Sequence, residues 1–330
     1  MVQRYLLLWL TLLSLVAYVW PDLWSFLCGL VGSNQAAPIS AGGFDPFVGT
    51  HQRGYLKPLI AVTMFSIGSL LPRDEIRQVL QRWPTVFGGT TIQYAAMPFL
   101  AYVVGHAFRL GPDALTGVIM VGCVPGAMAS NILTLAARGN VSYSVSLTTS
   151  ATLLSPLMVP LALWLTLGAS RQQDPWDTFT TLLMLVVGPV LAGHLLCRWL
   201  SRAERIMQRI GPIAANLTIL WIIAVVVGVN RGRLAEVTLL LLLALLVVNL
   251  LGYLAGYVGG GMLRLGEPMR RALTLEVGMQ NAGLGTVLVL DLFPDNPAAA
   301  IPTAAYTFGC MLTGTILAQI WSARSEAATH

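Results

Sequence analysis

One acidic residue stands inside an otherwise apolar stretch of this chain. Glu276 lies in RALTLEVGMQNAGLGTVLVL, about six residues into a run long enough to cross a bilayer. A charge at such depth is unfavourable by roughly 2.5 to 3.5 kcal/mol and usually faces a partner or a cavity. Gln280 and Asn281 continue the polar run inward, which favours a buried, cation-binding carboxylate. A simpler alternative stays open, in which Glu276 pairs with Arg270 or Arg271 near the inner surface.

A second interrupted stretch, GVIMVGCVPGAMASNILTLAARGN, carries hydroxyl and amide groups. Pro125 and Gly126 are expected to break its helix, and Ser130 and Asn131 follow at the start of the second half. A break frees backbone carbonyls that, with these side chains, suit a hard monovalent cation, while the amides of a half-helix N-terminus favour an anion. The two stretches together predict an ion site with an anion site beside it.

Three more polar side chains lie in apolar surroundings. Ser144 and Thr148 are four residues apart and share one helix face, and Gln93 stands in TTIQYAAMPF. Each has a simpler interpretation, because membrane hydroxyls often bond to a carbonyl one turn earlier and a glutamine can join two helices. Their combination with the two broken stretches favours ion ligands.

The composition indicates a membrane protein. Of 330 residues, 56% are hydrophobic and only 10% are charged, whereas soluble domains carry about a quarter charged residues. The net charge of +5 has no basic tail behind it and does not indicate a nucleic-acid partner. The four cysteines and four histidines form no metal or redox motif, and HExxH, GxSxG and GK[ST] patterns are absent, so we do not expect an enzyme.

Apolar stretches of roughly 17 to 25 residues cross a bilayer as helices. The chain has ten, which predicts an all-α integral membrane protein, and the first run is taken as a span rather than a cleaved leader. The predicted spans are 5–27, 55–71, 84–108, 112–137, 142–168, 176–198, 211–229, 236–262, 271–292 and 299–322.

Charge distribution predicts the orientation of these spans. With the N-terminus inside, 13 of the 19 Lys and Arg residues fall on the inner side, as the positive-inside rule requires. Both termini are therefore expected in the cytoplasm, with the chain as a monomer in the cell's inner (plasma) membrane.

The chain divides at the polar link RQQDPWD into 1–170 and 171–330, with five spans in each half. An odd number of spans forces the halves into opposite orientations, which predicts two inverted five-helix repeats. The fourth span of each half is the interrupted one, and Asn131 and Asn281 lie 150 positions apart at matching places. Paired interrupted spans point to a binding site at the middle of the membrane.

Two long motifs resemble the signature regions of the bile acid:sodium symporter family. They are GCVPGAMASNILTLAARGNVSYSVSLTTSATLLSP at 122–156 and LTLEVGMQNAGL at 273–284, and the resemblance extends from about 55 to 322. It implies a ten-helix fold with a panel domain (spans one, two, six and seven) and a core domain (spans three to five and eight to ten). It also implies that spans four and nine are unwound and cross in the core.

The resemblance implies two sodium sites that share one carboxylate. The first would use Ser130, Asn131, Ser144, Thr148 and Glu276. The second would use Gln93, Glu276, Gln280 and the backbone carbonyls of Val277 and Met279. The carboxylate of the substrate would meet the backbone around Met128, Ala129 and Ser130, with Asn281 and Ala282 opposite.

The chain departs from the family pattern where substrate is expected to bind. Met128 takes a place where many relatives have Gly or Thr, and Gly309, Cys310 and Met311 replace an expected Trp-His-Asn run. A bile acid, pantoate or a 2-keto acid are all candidate substrates. A Gly- and Pro-rich segment at 29–54 is expected to be a flexible outer loop.

The predicted function is sodium-coupled symport of an organic anion with two sodium ions, by movement of the core against the panel. Proton-coupled or sodium-independent transport is the alternative within the same class. An enzyme that uses Glu276 as acid or base has no supporting motif. The sequence does not distinguish a transporter from a membrane receptor that binds the anion without transporting it.

Overall fold

The computed structural model of this chain describes residues 6–30, 45–72, 75–168, 174–232 and 237–327. Over these ranges the chain is almost entirely helical, and the single isolated β-bridge found there joins Gly126 to Gln280. The expected all-α fold is confirmed. Parts of the predicted outer loop (31–44) and of the link between the halves (169–173) lie outside the described residues.

The described residues of the first half form eight helices, which lie on the first five predicted spans and on two short connections. The fourth span is divided between α6 and α7. The helices are α1 (Leu6–Leu30), α2 (Pro46–Gln52), α3 (Leu56–Ser69), α4 (Glu75–Gln81), α5 (Trp83–Ala107), α6 (Pro112–Cys123), α7 (Ala129–Ala136) and α8 (Val141–Leu167).

In the described part of the second half there are seven α-helices, and the fourth span is divided between α13 and α14. A π-helical turn, Leu183–Val187, precedes Pro189 and widens the backbone where the proline ring would otherwise meet the preceding turn. The helices are α9 (Pro175–Leu182), α10 (Gly188–Trp199), α11 (Ser201–Val229), α12 (Leu239–Met262), α13 (Glu267–Gly278), α14 (Ala282–Leu292) and α15 (Ala300–Ala327).

One helix begins ten residues earlier than expected. The seventh span was predicted from residue 211, but α11 begins at Ser201 and carries Arg202, Arg205 and Arg209 on its first turns. The segment SRAERIMQR consists largely of good helix formers, so the helix continues beyond its apolar part. Hydropathy marks where a helix enters the membrane, which here differs from where the helix begins.

The expected flexible loop at 29–54 is partly helical. Asp45 accepts hydrogen bonds from the backbone amides of Phe47 (2.9 Å) and Val48 (3.1 Å) and so caps α2. Its carboxylate also forms an ion pair with Arg231, whose Nε donates to the Ala17 carbonyl at 2.7 Å. This part of the loop therefore ties α1 to the end of α11.

Large apolar side chains face outward over much of the surface, for example Leu239 (72% exposed) and Leu254 (56% exposed) on α12. Such a surface is unfavourable in water and suits a bilayer. Five helical segments in the described ranges are each long and apolar enough to cross a membrane: Val141–Leu167, Pro175–Trp199, Ser201–Val229, Leu239–Met262 and Pro297–Ala323. The protein is an integral membrane protein.

Glycines bring α12 against α13, the helix that carries Glu276. A Cβ atom at Gly256 would lie 2.7 Å from the Cα of Thr274, and one at Gly252 would lie 3.2 Å from the Cα of Gly278. Small residues four apart let two membrane helices approach closely. This packing fixes the position of α13 and therefore of its carboxylate.

Candidate ion site at the crossing of two broken helices

Two helices break where the sequence predicts. Between α6 and α7 the backbone is extended from Val124, next to Pro125, which has no amide hydrogen to donate. Between α13 and α14 the backbone is extended at Met279. Each break leaves amide and carbonyl groups without a partner in their own helix.

Backbone groups of the two breaks form hydrogen bonds with each other. The Ala127 amide donates to the Met279 carbonyl at 2.7 Å, and the Asn281 amide donates to the Pro125 carbonyl at 2.8 Å. These bonds form the short antiparallel bridge between Gly126 and Gln280. The unwound segments therefore cross in the interior, where unpaired backbone groups would be costly.

Glu276 lies at this crossing, two residues before α13 ends, and is fully buried. Ser130 Oγ and Thr148 Oγ1 donate to its Oε2 at 2.5 and 2.8 Å. Its other oxygen, Oε1, has no hydrogen-bond partner in the described structure. Among the described residues no cationic side chain contacts either oxygen, so the carboxylate there meets only neutral groups.

The alternative pairing of Glu276 with Arg270 or Arg271 is wrong. Arg271 Nε donates to Glu267 at 3.3 Å, and its Nη1 donates to the Ala137 carbonyl at 2.9 Å. Arg270 lies over the ring of Tyr257 and is 3.9 Å from Glu267. Both arginine side chains remain near the start of α13, because they interact with Glu267, the first residue of that helix.

The residues predicted for the first sodium site lie together. Thr148 Oγ1 is 3.4 Å from Asn131 Oδ1 and 3.1 Å from the Ser144 carbonyl. Thr134 Oγ1 donates to Ser144 Oγ at 3.3 Å and joins the cluster, although the sequence analysis did not select it. Two helices, α7 and α8, thus present hydroxyl and amide oxygens to the carboxylate of Glu276.

The residues predicted for the second sodium site also meet. Gln93 on α5 is buried, and its Nε2 donates to Gln280 Oε1 at 3.4 Å, while its own Oε1 has no hydrogen-bond partner in the described structure. Gln280 Nε2 donates to the Val277 carbonyl at 2.7 Å. The Met279 carbonyl accepts from the opposite break. A glutamine of α5 therefore meets the break after α13, where the side chain of Gln280 and the carbonyl of Val277 lie.

The residues predicted for the substrate lie at the starts of the two second half-helices. Met128 and Ala129 begin α7, whereas Asn281 Oδ1 caps α14 by accepting from the Leu284 amide at 3.1 Å, and Ala282 follows. A cavity beside Met128, bounded by α3 and α10, has a volume of about 10 Å³. One water needs about that much, so this side of the crossing is closed.

Further polar side chains hold the break in α13, and the sequence analysis missed them. Asn249 on α12 and Tyr306 on α15 both donate to the Gly278 carbonyl. The available signal was an asparagine in the leucine-rich run LLLLLALLVVNLL. A single asparagine in such a run does not by itself indicate a function, because polar residues commonly join membrane helices.

A helical membrane protein with two broken helices crossing at a buried, unpaired carboxylate has the construction of a secondary transporter. Comparison with known proteins agrees. The profile of the sodium bile acid symporter family matches residues 57–237.

Three proteins show the extent of the similarity. The uncharacterized sodium-dependent transporter YocS of Bacillus subtilis (strain 168) is 32% identical over 281 residues, which are 85% of this chain and 87% of that protein. The ileal sodium/bile acid cotransporter of Oryctolagus cuniculus is 31% identical over 274 residues, 80% of this chain and 77% of that protein. The probable sodium/metabolite cotransporter BASS1, chloroplastic, of Arabidopsis thaliana is 33% identical over 265 residues, 79% of this chain and 65% of that protein.

The chain belongs to the sodium bile acid symporter family. This is a family of transporters and not of enzymes.

Proposed function

We propose that this protein is a sodium-coupled symporter that carries an organic anion across the cell's plasma membrane. One observation carries the proposal: Glu276 is fully buried and has no cationic partner among the residues that the structure describes. A charge in that position is stable when a mobile cation accompanies it, and the surrounding oxygens are the ligands that a hard cation prefers. The names of the relatives, which refer to sodium with bile acids or metabolites, support the same pair of substrates.

Two sodium ions share the carboxylate of Glu276 in this proposal. The first is bound with Ser130, Asn131, Ser144 and Thr148. The second is bound with Gln93, Gln280 and the carbonyls of Val277 and Met279. Glu276 Oε1 and Gln93 Oε1, two buried acceptor atoms with no hydrogen-bond partner among the described residues, support the second ion.

In this proposal the chain forms two inverted five-helix repeats, with ten membrane spans and both termini in the cytoplasm. A panel of α1, α3, α9–α10 and α11 faces a core of the remaining spans. Tight packing supports a rigid panel, since a Cβ at Gly68 on α3 would lie 2.0 Å from the Val190 carbonyl on α10. The core moves against this panel, in a monomer, to give alternating access.

The anion binds between panel and core at Met128, Ala129, Ser130, Asn281 and Ala282. Backbone amides at the starts of α7 and α14 favour a carboxylate there. Sodium orders the crossing first and so completes the anion site. Coupling requires only that ions and anion favour the same state.

Uptake into proteoliposomes tests the proposal, with labelled cholate, pantoate and pyruvate as probes. At least one should accumulate under an inward sodium gradient and not under an equal potassium gradient. Glu276→Ala and Gln93→Ala should abolish this uptake. A proton-gradient arm identifies proton coupling, in which sodium has no effect and Glu276→Gln is inactive. Sodium-independent uptake that persists in Glu276→Ala would refute the mechanism.

A further inference from the structure

Two buried side chains donate hydrogen bonds to one backbone carbonyl at the end of α13. Asn249 Nδ2 and Tyr306 OH each donate to the Gly278 carbonyl at 2.7 Å. Thr313 Oγ1 donates to Asn249 Oδ1 at 2.6 Å and so fixes the orientation of the amide. Asn249 and Tyr306 are only 2% and 1% exposed. Side chains of α12 and α15 thus replace the helical partner that the break removes.

The break explains why the carbonyl is available. In a continuous helix the Gly278 carbonyl would accept from the amide of Ala282, but that amide donates instead to the Gln280 carbonyl at 2.8 Å. Gly278 also packs tightly, because a Cβ atom there would lie 2.1 Å from the ring of Tyr253. The peptide at Gly278 is therefore held from both sides, by hydrogen bonds and by packing.

Gly278 lies between the two residues whose carbonyls we assign to the second sodium site. A fixed Gly278 carbonyl fixes the peptide planes on either side, and with them the directions in which Val277 and Met279 present their oxygens. Preorganised ligands bind more tightly because less freedom is lost on binding. The position of Asn249 in a leucine-rich helix supports a specific role, since a leucine would pack there without a polar group to satisfy.

We infer that Asn249 and Tyr306 are positioning residues of the second sodium site, and that Thr313 orients Asn249. They do not contact the ion; they set the geometry of the break that binds it. The inference rests on the proposed function, because it concerns the affinity of the same ion site.

Sodium-dependent thermal stabilisation of the full-length protein in detergent tests the inference without a known substrate. The protein is titrated with NaCl against KCl at constant ionic strength, since binding to the folded state raises Tm with occupancy. Tyr306→Phe keeps the ring and removes one donor. Thr303→Val is the matched control: Thr303 is buried one turn earlier on α15, and its hydroxyl contacts Thr286 at 2.8 Å, away from the break.

Tyr306→Phe should raise the half-saturating sodium concentration about two- to tenfold, the range expected for one buried hydrogen bond. Asn249→Leu removes the other donor to the Gly278 carbonyl and also the acceptor of the Thr313 hydroxyl. It should therefore raise the half-saturating sodium concentration further. Thr303→Val should leave it unchanged. Without sodium, the Tm of Tyr306→Phe should resemble that of the control.

Two outcomes would overturn the inference. The first is an unchanged half-saturating sodium concentration in both Tyr306→Phe and Asn249→Leu. The second is a lower Tm in KCl without any change in the sodium titration, which would indicate a structural role only. A wild-type protein that shows no sodium-specific stabilisation would refute the proposed function first, and the inference with it.

Discussion

Glu276 differs from the other buried acid of the described chain in what surrounds it. Asp45 is paired with Arg231, whereas Glu276 meets two hydroxyl donors on one oxygen and no partner on the other. Hydroxyls stabilise a carboxylate but do not neutralise it. The asymmetry between the oxygens fits two roles, with Oε2 facing α7 and α8 and Oε1 lying beside Gly126 in the break between α6 and α7.

Ser130→Ala tests the role of a single ligand at the residue scale. It removes a hydroxyl that we assign to the first sodium site and that donates to Glu276 at 2.5 Å. The half-saturating sodium concentration for thermal stabilisation should rise about tenfold, as expected for a loss of about 1.4 kcal/mol.

Ser155→Ala is the control for this measurement. Ser155 is equally buried on α8, but its hydroxyl bonds only to the Thr152 carbonyl of its own helix. Its sodium titration should match wild type. Equal behaviour of the two serine variants would remove Ser130 from the site.

Some residues of the site could be predicted from the sequence and others could not, for a physical reason. Glu276 could be predicted because a charge inside an apolar span is rare and costly. Its neighbours on the broken spans could be predicted from their oxygens. Asn249 and Tyr306 could not, because their partner at Gly278 lies 29 and 28 residues away and a backbone carbonyl has no sequence signature.

The breaks are the elements that make the site, and Gly126 allows them to cross. A Cβ atom at this position would lie 2.1 Å from Glu276 Oε1. Any side chain there would displace the carboxylate oxygen that has no other partner. The glycine is required by close approach, since it does not have a positive φ.

Gly126→Ala should therefore abolish sodium-specific thermal stabilisation, or raise the half-saturating concentration more than tenfold. Gly285→Ala on α14 is the comparison, since a Cβ atom there meets only ordinary contacts of 3.4 Å. An alanine inside a helix is favoured over glycine by about 1 kcal/mol, so this variant should retain or gain stability. A normal sodium titration for Gly126→Ala would contradict the proposed position of the ion.

Element positions were largely predictable, and element ends were not. The ten apolar runs predicted where helices lie, because burial in lipid dominates those segments. The early start of α11 and the short helix α2 depend on helix propensity and on a cap at Asp45, which hydropathy does not report. The division of spans four and nine was foreseen from Pro125 and from the glycines and amides near Gln280.

At the scale of the whole molecule, the proposed substrate site would need a movement to admit an organic anion. The cavity beside Met128 holds about 10 Å³, whereas pockets for small organic ligands measure roughly 300 to 1,000 Å³. Ile67 of α3, Leu71 just after that helix and Val190 of α10 line it on the side of the proposed panel. Separation of these helices from α7 and α8 would open it next to the assigned ion ligands.

The ion pair between Asp45 and Arg231 tests whether the panel and the core are separate bodies. It joins α1, α2 and α11, whereas every assigned sodium ligand lies on other helices. Asp45→Asn preserves a helix cap but removes the carboxylate that pairs with Arg231, and breaking this partly buried pair costs up to about 3 kcal/mol. We expect a clearly lower Tm in KCl, with an unchanged half-saturating sodium concentration.

Asp291→Asn is the control, because the 2.7 Å pair of Asp291 with Lys57 is partly exposed. An exposed pair contributes about 1 kcal/mol or less, so its Tm should change little. The expected pattern is opposite to that of Ser130→Ala, which changes the sodium titration more than the stability. A shifted sodium titration in Asp45→Asn would mean that the panel takes part in ion binding, and the division into two bodies would then be wrong.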